Sequence, residues 1–212
     1  MIRLMIVDDH ELLRLGLRQI FSEYNDIEVV AEAGDGDTAI RLCREVRPNV
    51  VVLDVSLPGL SGFELTRRLR AFKPAVTVIA LSVHDASPYP ERMMEAGASG
   101  YLTKGCTVSE LLQAIRTVAR GGRHIGSAIA QKLILNGMEG HNGTPFDSLS
   151  AREMEVLVLL SEGHRLSEIA DTMHLSPKTV ATYKYRIFEK LETRNDVEMT
   201  RLAMRYGIGA PA

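Results

Sequence analysis

The chain has no tryptophan, two cysteines and no run of the roughly 18 apolar residues that a membrane-spanning helix needs. Cys43 and Cys106 stand far apart, with no metal-ligand spacing around them. That argues against a disulfide framework or a cysteine-bound zinc, and both read as packing groups in a reducing compartment. The N-terminal stretch Met1–Val7 is apolar but runs straight into Asp8-Asp9. It is too short and too acidic in its flank for a signal peptide, so it reads as a buried strand, and the expected location is the cytoplasm, away from membranes. Charge of one sign is lacking too. A net charge of -2 is no signature of a nucleic-acid binder as a whole, so any such surface has to be local.

What the chain does have is alternation. Short apolar runs at Arg3–Val7, Glu28–Ala33, Val50–Asp54, Val76–Ser82 and Ser99–Leu102 are separated by helical patterns. Leu12, Leu13, Leu15, Ile20 and Phe21 mark the first helix; Ala39, Ile40, Cys43 and Val46, stopped by Pro48, mark the second. Further helices are expected over Gly62–Phe72, Pro88–Ala96 and Val108–Ala119, the last with Ser109 as its N-cap and Gly121-Gly122 as its stop. Strand–helix repeats at this spacing imply α/β architecture, a (βα)5 doubly wound parallel sheet with helices on both faces. Residues 123–135 look weakly helical, and Asn136–Pro145 offers turn formers with little to bury, so residues 123–146 read as a linker. Beyond it the pattern is helical only: Ala151–Ser161, Leu166–Met173, Pro177–Leu191 and Asp196–Tyr206. The expected division is therefore 1–122, a linker over 123–146, and an all-α four-helix domain over 147–212.

In a doubly wound sheet, ligands bind beyond the C-terminal strand ends. Those ends carry Asp8 and Asp9, Asp54, Ser82 and Lys104. Three close carboxylates repel one another unless a divalent cation neutralises them, and oxygen ligands with open water positions suit Mg²⁺. A carboxylate held there can attack an activated phosphoryl group, with the cation, the lysine and a hydroxyl stabilising the transferring oxygens. Asp54, ending the central strand, is the expected nucleophile. His10 reads as a solvated neighbour of the acidic pair.

The runs Val7-Asp8-Asp9-His10, Leu53-Asp-Val-Ser-Leu-Pro-Gly59, Ala80-Leu-Ser82 and Tyr101-Leu-Thr-Lys-Gly105 resemble the receiver domain of two-component response regulators. The resemblance implies that Asp54 is the phosphoacceptor, that Asp8, Asp9, Asp54 and the Ser56 carbonyl hold Mg²⁺, and that Ser82 and Lys104 bind the phosphoryl group. Tyr101 matches the switch aromatic that turns inward when the hydroxyl moves. Ser56 and His84 occupy positions where receivers tune phosphoryl lifetime. Lys104-Gly105 departs from the commoner Lys-Pro.

Residues 176–190 concentrate Lys178, Lys184, Arg186 and Lys190 against Glu189 alone. Ser176 suits the N-cap and Pro177 the first helical position. Val180, Ile187 and Leu191 share one face, flanked by Tyr183 and Phe188; Lys178, Ala181, Thr182, Tyr185 and Arg186 project from the other. Small, hydroxyl-bearing and aromatic groups edged by cations suit the major groove. The helical wheel sets Lys184 on the core side, from which it can snorkel outward. Leu149-Ser-Ala-Arg-Glu153, Glu168-Ile-Ala170, Ser176-Pro-Lys-Thr-Val180 and Lys190-Leu191 resemble the helix-turn-helix domain of NarL/FixJ (LuxR-type) regulators, closest to the GacA/UvrY/SirA/VarA group. That resemblance implies a structural, bracing Glu153, base contacts by Ala181, Thr182 and Tyr185, and a DNA-facing set completed by Lys178, Thr179, Tyr183, Lys184, Arg186 and Lys190. It also implies a sensor histidine kinase, of the hybrid type, or a phosphotransfer domain as partner. Double-stranded DNA with inverted repeats, a homodimer in the active state and small regulatory RNA genes as targets complete the expectation. Two rivals stay open: a DNA-binding regulator indifferent to phosphate, and an Mg²⁺-dependent phosphohydrolase, which would want an acid where Ser56 stands.

Overall fold

The computed structural model describes residues 1–58, 60–85, 88–138, 144–206 and 208; residues 139–143 of the expected linker and 209–212 of the expected second domain lie outside them. Two compact units result, one of Met1–Asp85 with Tyr89–Lys132, the other taking Leu133 onward.

The first unit is a parallel sheet of β1 (Ile2–Val7), β2 (Ile27–Ala33), β3 (Val50–Asp54), β4 (Thr77–Ser82), β5 (Gly100–Thr103) and β6 (His124–Ile125), in the order β2-β1-β3-β4-β5-β6. The helices between them are α1 (Glu11–Phe21), α2 (Gly36–Val46), α3 (Gly62–Arg70), α4 (Tyr89–Glu95) and α5 (Val108–Ala119). Strand alternation divides the core. Leu4, Ile6, Val50 and Val52 pack with Leu17 and Phe21 of α1 and Leu112, Ile115 and Val118 of α5. Met5, Val7, Val51 and Leu53 face the other way, onto Ala39 and Cys43 of α2 and Leu65 and Leu69 of α3. Residues of both alternating sets in the central strands β1 and β3 are thus apolar and buried, as a sheet covered on both faces requires.

Three details differ from the sequence reading. His124–Ile125, expected to be weakly helical, forms β6 and pairs with Gly100 and Tyr101, after which α6 runs over Ser127–Met138. Two residues give too little periodicity to be read; the free edge of β5 recruits them. The N-cap of α5 is Thr107, whose hydroxyl accepts from the Glu110 N–H, so Ser109 lies inside the helix. Expected helix ends at Phe72, Ala96, Met173 and Tyr206 fall one or two residues beyond the observed ones.

The second unit is helical. After a 3-10 turn at Pro145–Ser148 come α7 (Ala151–Ser161), α8 (Leu166–Thr172), α9 (Pro177–Leu191) and α10 (Asp196–Arg205). Their starts are written in capping residues: Ser150, Ser176 and Asn195 each accept from the backbone N–H three residues on. Met154, Leu157, Ile169, Val180, Ile187, Met199 and Ala203 form the interior. His174 takes the left-handed conformation (φ 52°) in the turn between α8 and α9, and the Leu175 N–H returns to the Ala170 carbonyl at 2.8 Å. This is a helix-turn-helix. Among the described residues no helix is long and apolar enough to cross a membrane.

Candidate functional site

Strand order reverses between β2-β1 and β3, and the crevice lies at the C-terminal ends of β1 and β3. Asp8 follows β1 and Asp54 ends β3, both 2% exposed. Gly62 lets α3 start directly against this strand end: a Cβ there would stand 2.7 Å from the Val55 carbonyl oxygen and 2.8 Å from its Cα. From β5, Lys104 reaches in and places Nζ 2.7 Å from Asp54 Oδ2 and 2.9 Å from Asp8 Oδ2. The other Asp54 oxygen accepts from the Ser56 N–H at 3.0 Å. Burial pushes the Asp54 carboxyl above its ordinary value, more strongly than Lys104 and the Ser56 N–H pull it down. For Lys104 burial works downward, but its bond to Asp54 and the adjacent Asp8 carboxylate prevail and hold the ammonium above its usual range.

Whether the pocket suits a divalent cation can be judged at Asp8. Its Oδ2 is buried and accepts no hydrogen bond, although the Lys104 ammonium lies at 2.9 Å outside bonding geometry. A buried carboxylate oxygen without a directed donor is costly, and a lysine nearby supplies charge without completing the shell. Donor atoms of Asp8, Asp9, His10 and Asp54 all lie within 4.8 Å of one another, close enough for one ion to touch them all. An acidic pocket of this composition is typical of a Mg²⁺ site, and the residues fit.

Ser82 is wholly buried at the end of β4, and its hydroxyl accepts from the His84 N–H at 3.0 Å. Its carbonyl accepts the Lys104 N–H at 2.7 Å, tying β4 to the lysine loop. Tyr101 is fully buried and donates its hydroxyl to the His84 carbonyl at 2.8 Å. The ring of His84 stacks on Tyr89, centroids 4.1 Å apart, and burial lowers its pKa. Ser82, His84 and Tyr101 are therefore one connected group beside the pocket. Tyr101 is inward here.

His10 is exposed, as expected of a solvated neighbour of the acidic pair, and it is also bonded to that pair. Its Nδ1 stands 2.9 Å from Asp8 Oδ1 and 2.8 Å from Asp9 Oδ1, and its N–H donates to Asp8 Oδ1 at 2.8 Å. Adjacency to two acids was the signal in the sequence; which way the ring points was not.

On α9, Lys178, Ala181, Thr182, Tyr185 and Arg186 are exposed, with Tyr185 63% accessible, whereas Thr179 and Tyr183 are half-buried. Two cations have partners within the unit. Lys184 donates to Asp196 at the start of α10 (2.7 Å) and lies over the Phe188 ring. Lys190 donates to Glu153 at 2.6 Å, and Glu153, 2% exposed, also caps Ser150 N–H. Burial alone would raise the Glu153 carboxyl, but the bonds from Lys190 and Ser150 hold it below its ordinary value.

Comparison with known proteins accords with both halves. Residues 4–116 match the family described as response regulator receiver domain, and residues 147–203 that described as bacterial regulatory proteins, luxR family. The chain is similar to the response regulator GacA of Pseudomonas aeruginosa, 43% identical over 209 residues and 98% of either chain. It is equally similar to the response regulator UvrY of Escherichia coli, 44% identical over 98% of this chain and 96% of that one. A LuxR-family two-component response regulator from Aurantimonas superposes with TM-score 0.62 at 39% identity, over 65% of this chain and 98% of its own. RcsB of Salmonella enterica serovar Typhimurium, solved bound to a promoter with phosphomimetic BeF3⁻, shares the fold at TM-score 0.69 and 22% identity, over 95% and 97%.

Proposed function

The chain belongs to the LuxR-type (NarL/FixJ) family of two-component response regulators, and from that premise we propose that a phosphoryl group on Asp54 controls how α9 reads DNA. It is a transcription regulator rather than a conventional enzyme. A histidine kinase is the partner that a receiver implies. The observation that carries the reading is the Lys104 ammonium held between two buried carboxylates at the ends of adjacent strands.

The chemistry follows from those positions. An Asp54 carboxylate oxygen attacks the phosphorus of a phosphohistidine; the O–P bond forms, the N–P bond breaks, and the imidazole leaves with the electron pair. Lys104, now on Asp54 Oδ2, is within reach of the oxygens that gain charge as the carboxylate loses it. Ser82 presents a hydroxyl from a buried strand end, and turning it toward a phosphoryl oxygen gives up the bond from the His84 N–H. Asp8, Asp9, Asp54 and the Ser56 carbonyl would hold Mg²⁺, which when bound neutralises the crowded oxygens. Because the His84 carbonyl also holds Tyr101, movement of Ser82 is felt at Tyr101 and at the loop after β4. That couples phosphate to the face of the first unit used for pairing or for release of the second.

On the DNA side, Ala181, Thr182 and Tyr185 face bases, with Lys178, Thr179, Tyr183 and Arg186 beside them; Lys184 and Lys190 reach phosphates only by loosening their bonds to Asp196 and Glu153. Solved RcsB–DNA complexes, one with two RcsB dimers on two DNAs, make a dimer on inverted repeats the natural expectation for this chain. Likeness to GacA and UvrY points further, to small regulatory RNA genes and a hybrid sensor kinase. Labelling the chain with acetyl phosphate and Mg²⁺ and measuring operator affinity tests the proposal. Affinity should rise on labelling, and Asp54→Asn should abolish both effects. The rival reading is DNA binding indifferent to phosphate. Equal affinity with and without the phosphodonor would establish it.

A further inference from the structure

We infer that His10 is a metal-specificity residue of the receiver pocket: its imidazole supplies a nitrogen ligand that biases the site toward Mn²⁺ over Mg²⁺. The inference rests on the cation site proposed above and adds a donor that an all-oxygen pocket would lack.

Three observations carry it. Nδ1 of His10 belongs to the same set of donor atoms as Asp8, Asp9 and Asp54, all mutually within 4.8 Å. It is held there from both sides, 2.9 Å from Asp8 and 2.8 Å from Asp9, while the His10 N–H ties the backbone to Asp8 at 2.8 Å. His10 is also the N-cap residue of α1, and its carbonyl accepts from the Leu13 and Arg14 N–H groups at 3.1 and 3.2 Å. The ring is therefore placed by the same turn that places the acids. Asp8 Oδ2, buried and answered by the Lys104 ammonium as an ion pair without a hydrogen bond, is the independent sign that this oxygen has room for a cation in its shell.

The chemistry is consistent with an exchange of partners. Carboxylates only accept, so in the arrangement seen Nδ1 carries the hydrogen. Ligation through Nδ1 requires that hydrogen to leave it, and the side chain is 66% exposed, so an N–H at Nε2 can be given to water. Mg²⁺ strongly prefers oxygen and keeps its waters, whereas first-row transition ions accept imidazole readily. A pocket of carboxylates alone would discriminate little; one imidazole tilts it.

The test uses the full chain and Mn²⁺ as the probe. Electron spin-echo modulation of bound Mn²⁺ should show a directly coordinated nitrogen that His10→Gln removes. The ratio of Mn²⁺ to Mg²⁺ affinity should fall by about tenfold in the variant, the scale on which ligand-shell changes act. Gln at this exposed cap keeps a hydrogen-bond donor toward the acids, and circular dichroism checks that the fold persists. Saturable Mn²⁺ binding with no nitrogen signal, or with a signal and ratio that His10→Gln leaves unchanged, overturns the role of His10 while the cation site stands. Absence of saturable Mn²⁺ and Mg²⁺ binding overturns both.

Discussion

The pocket in the first unit and the outward face of α9 hold charge in opposite ways. Asp8, Asp54 and Lys104 are taken out of water and answer one another at 2.7–2.9 Å, whereas Lys178 and Arg186 stand in solvent. Buried charge is costly unless compensated, so a cluster of it needs a reason that lies inside the molecule or in an ion. Exposed charge costs the fold almost nothing and gains meaning only from an outside partner. The pocket can therefore be read from its own geometry. The α9 face needs a duplex before its residues can be ranked.

The largest effect is expected for Asp54→Asn, which should reduce labelling by a phosphodonor to background. The variant should melt no lower than the parent, because burial disfavours the carboxylate that it replaces. A lower melting temperature would mean that the buried charges stabilise the fold rather than serve a ligand. Next comes Glu153→Gln, which weakens the bond to Lys190 and the cap on Ser150 at a buried position and should cost about 1–3 kcal/mol in denaturant unfolding. Glu153 has a depressed pKa in the fold, so its contribution is complete above the ordinary glutamate value and disappears as pH falls through the folded one. Melting curves of parent and variant should converge on acidification; a gap that widens would reverse the sign.

Tyr185→Ala should weaken specific DNA binding by about tenfold, the value of one base contact, and leave non-specific binding nearly untouched. Uniform loss on all sequences, in gel-shift or anisotropy titrations, would make Tyr185 a backbone contact. The smallest effect belongs to Lys184→Met. Its partner Asp196 is largely exposed, so stability should change by less than about 1 kcal/mol. A large drop in DNA affinity with little loss of stability would show that Lys184 leaves Asp196 for phosphate.

Much of this architecture is legible along the chain, and for identifiable reasons. Val50–Leu53 and Pro177–Leu191 carry their signals locally, in unbroken apolar character and in a Ser-Pro start with a single apolar stripe. Other features depend on distant atoms. Thr107 rather than Ser109 caps α5 because of how the chain enters the helix, and two hydroxyl-bearing residues with one residue between them can each be drawn as the cap. His124–Ile125 becomes a strand because β5 has an unpaired edge.

The order of residues by itself determined the strand–helix alternation, the acids and lysine at strand ends and the amphipathic reading helix, because periodicity and capping act over a few neighbours. Only the tertiary structure decided that the His10 ring lies between Asp8 and Asp9, that Tyr101 is inward, and that Lys184 and Lys190 answer Asp196 and Glu153. Those are choices of direction among several rotamers, and they depend on groups that meet only after the backbone has closed around them.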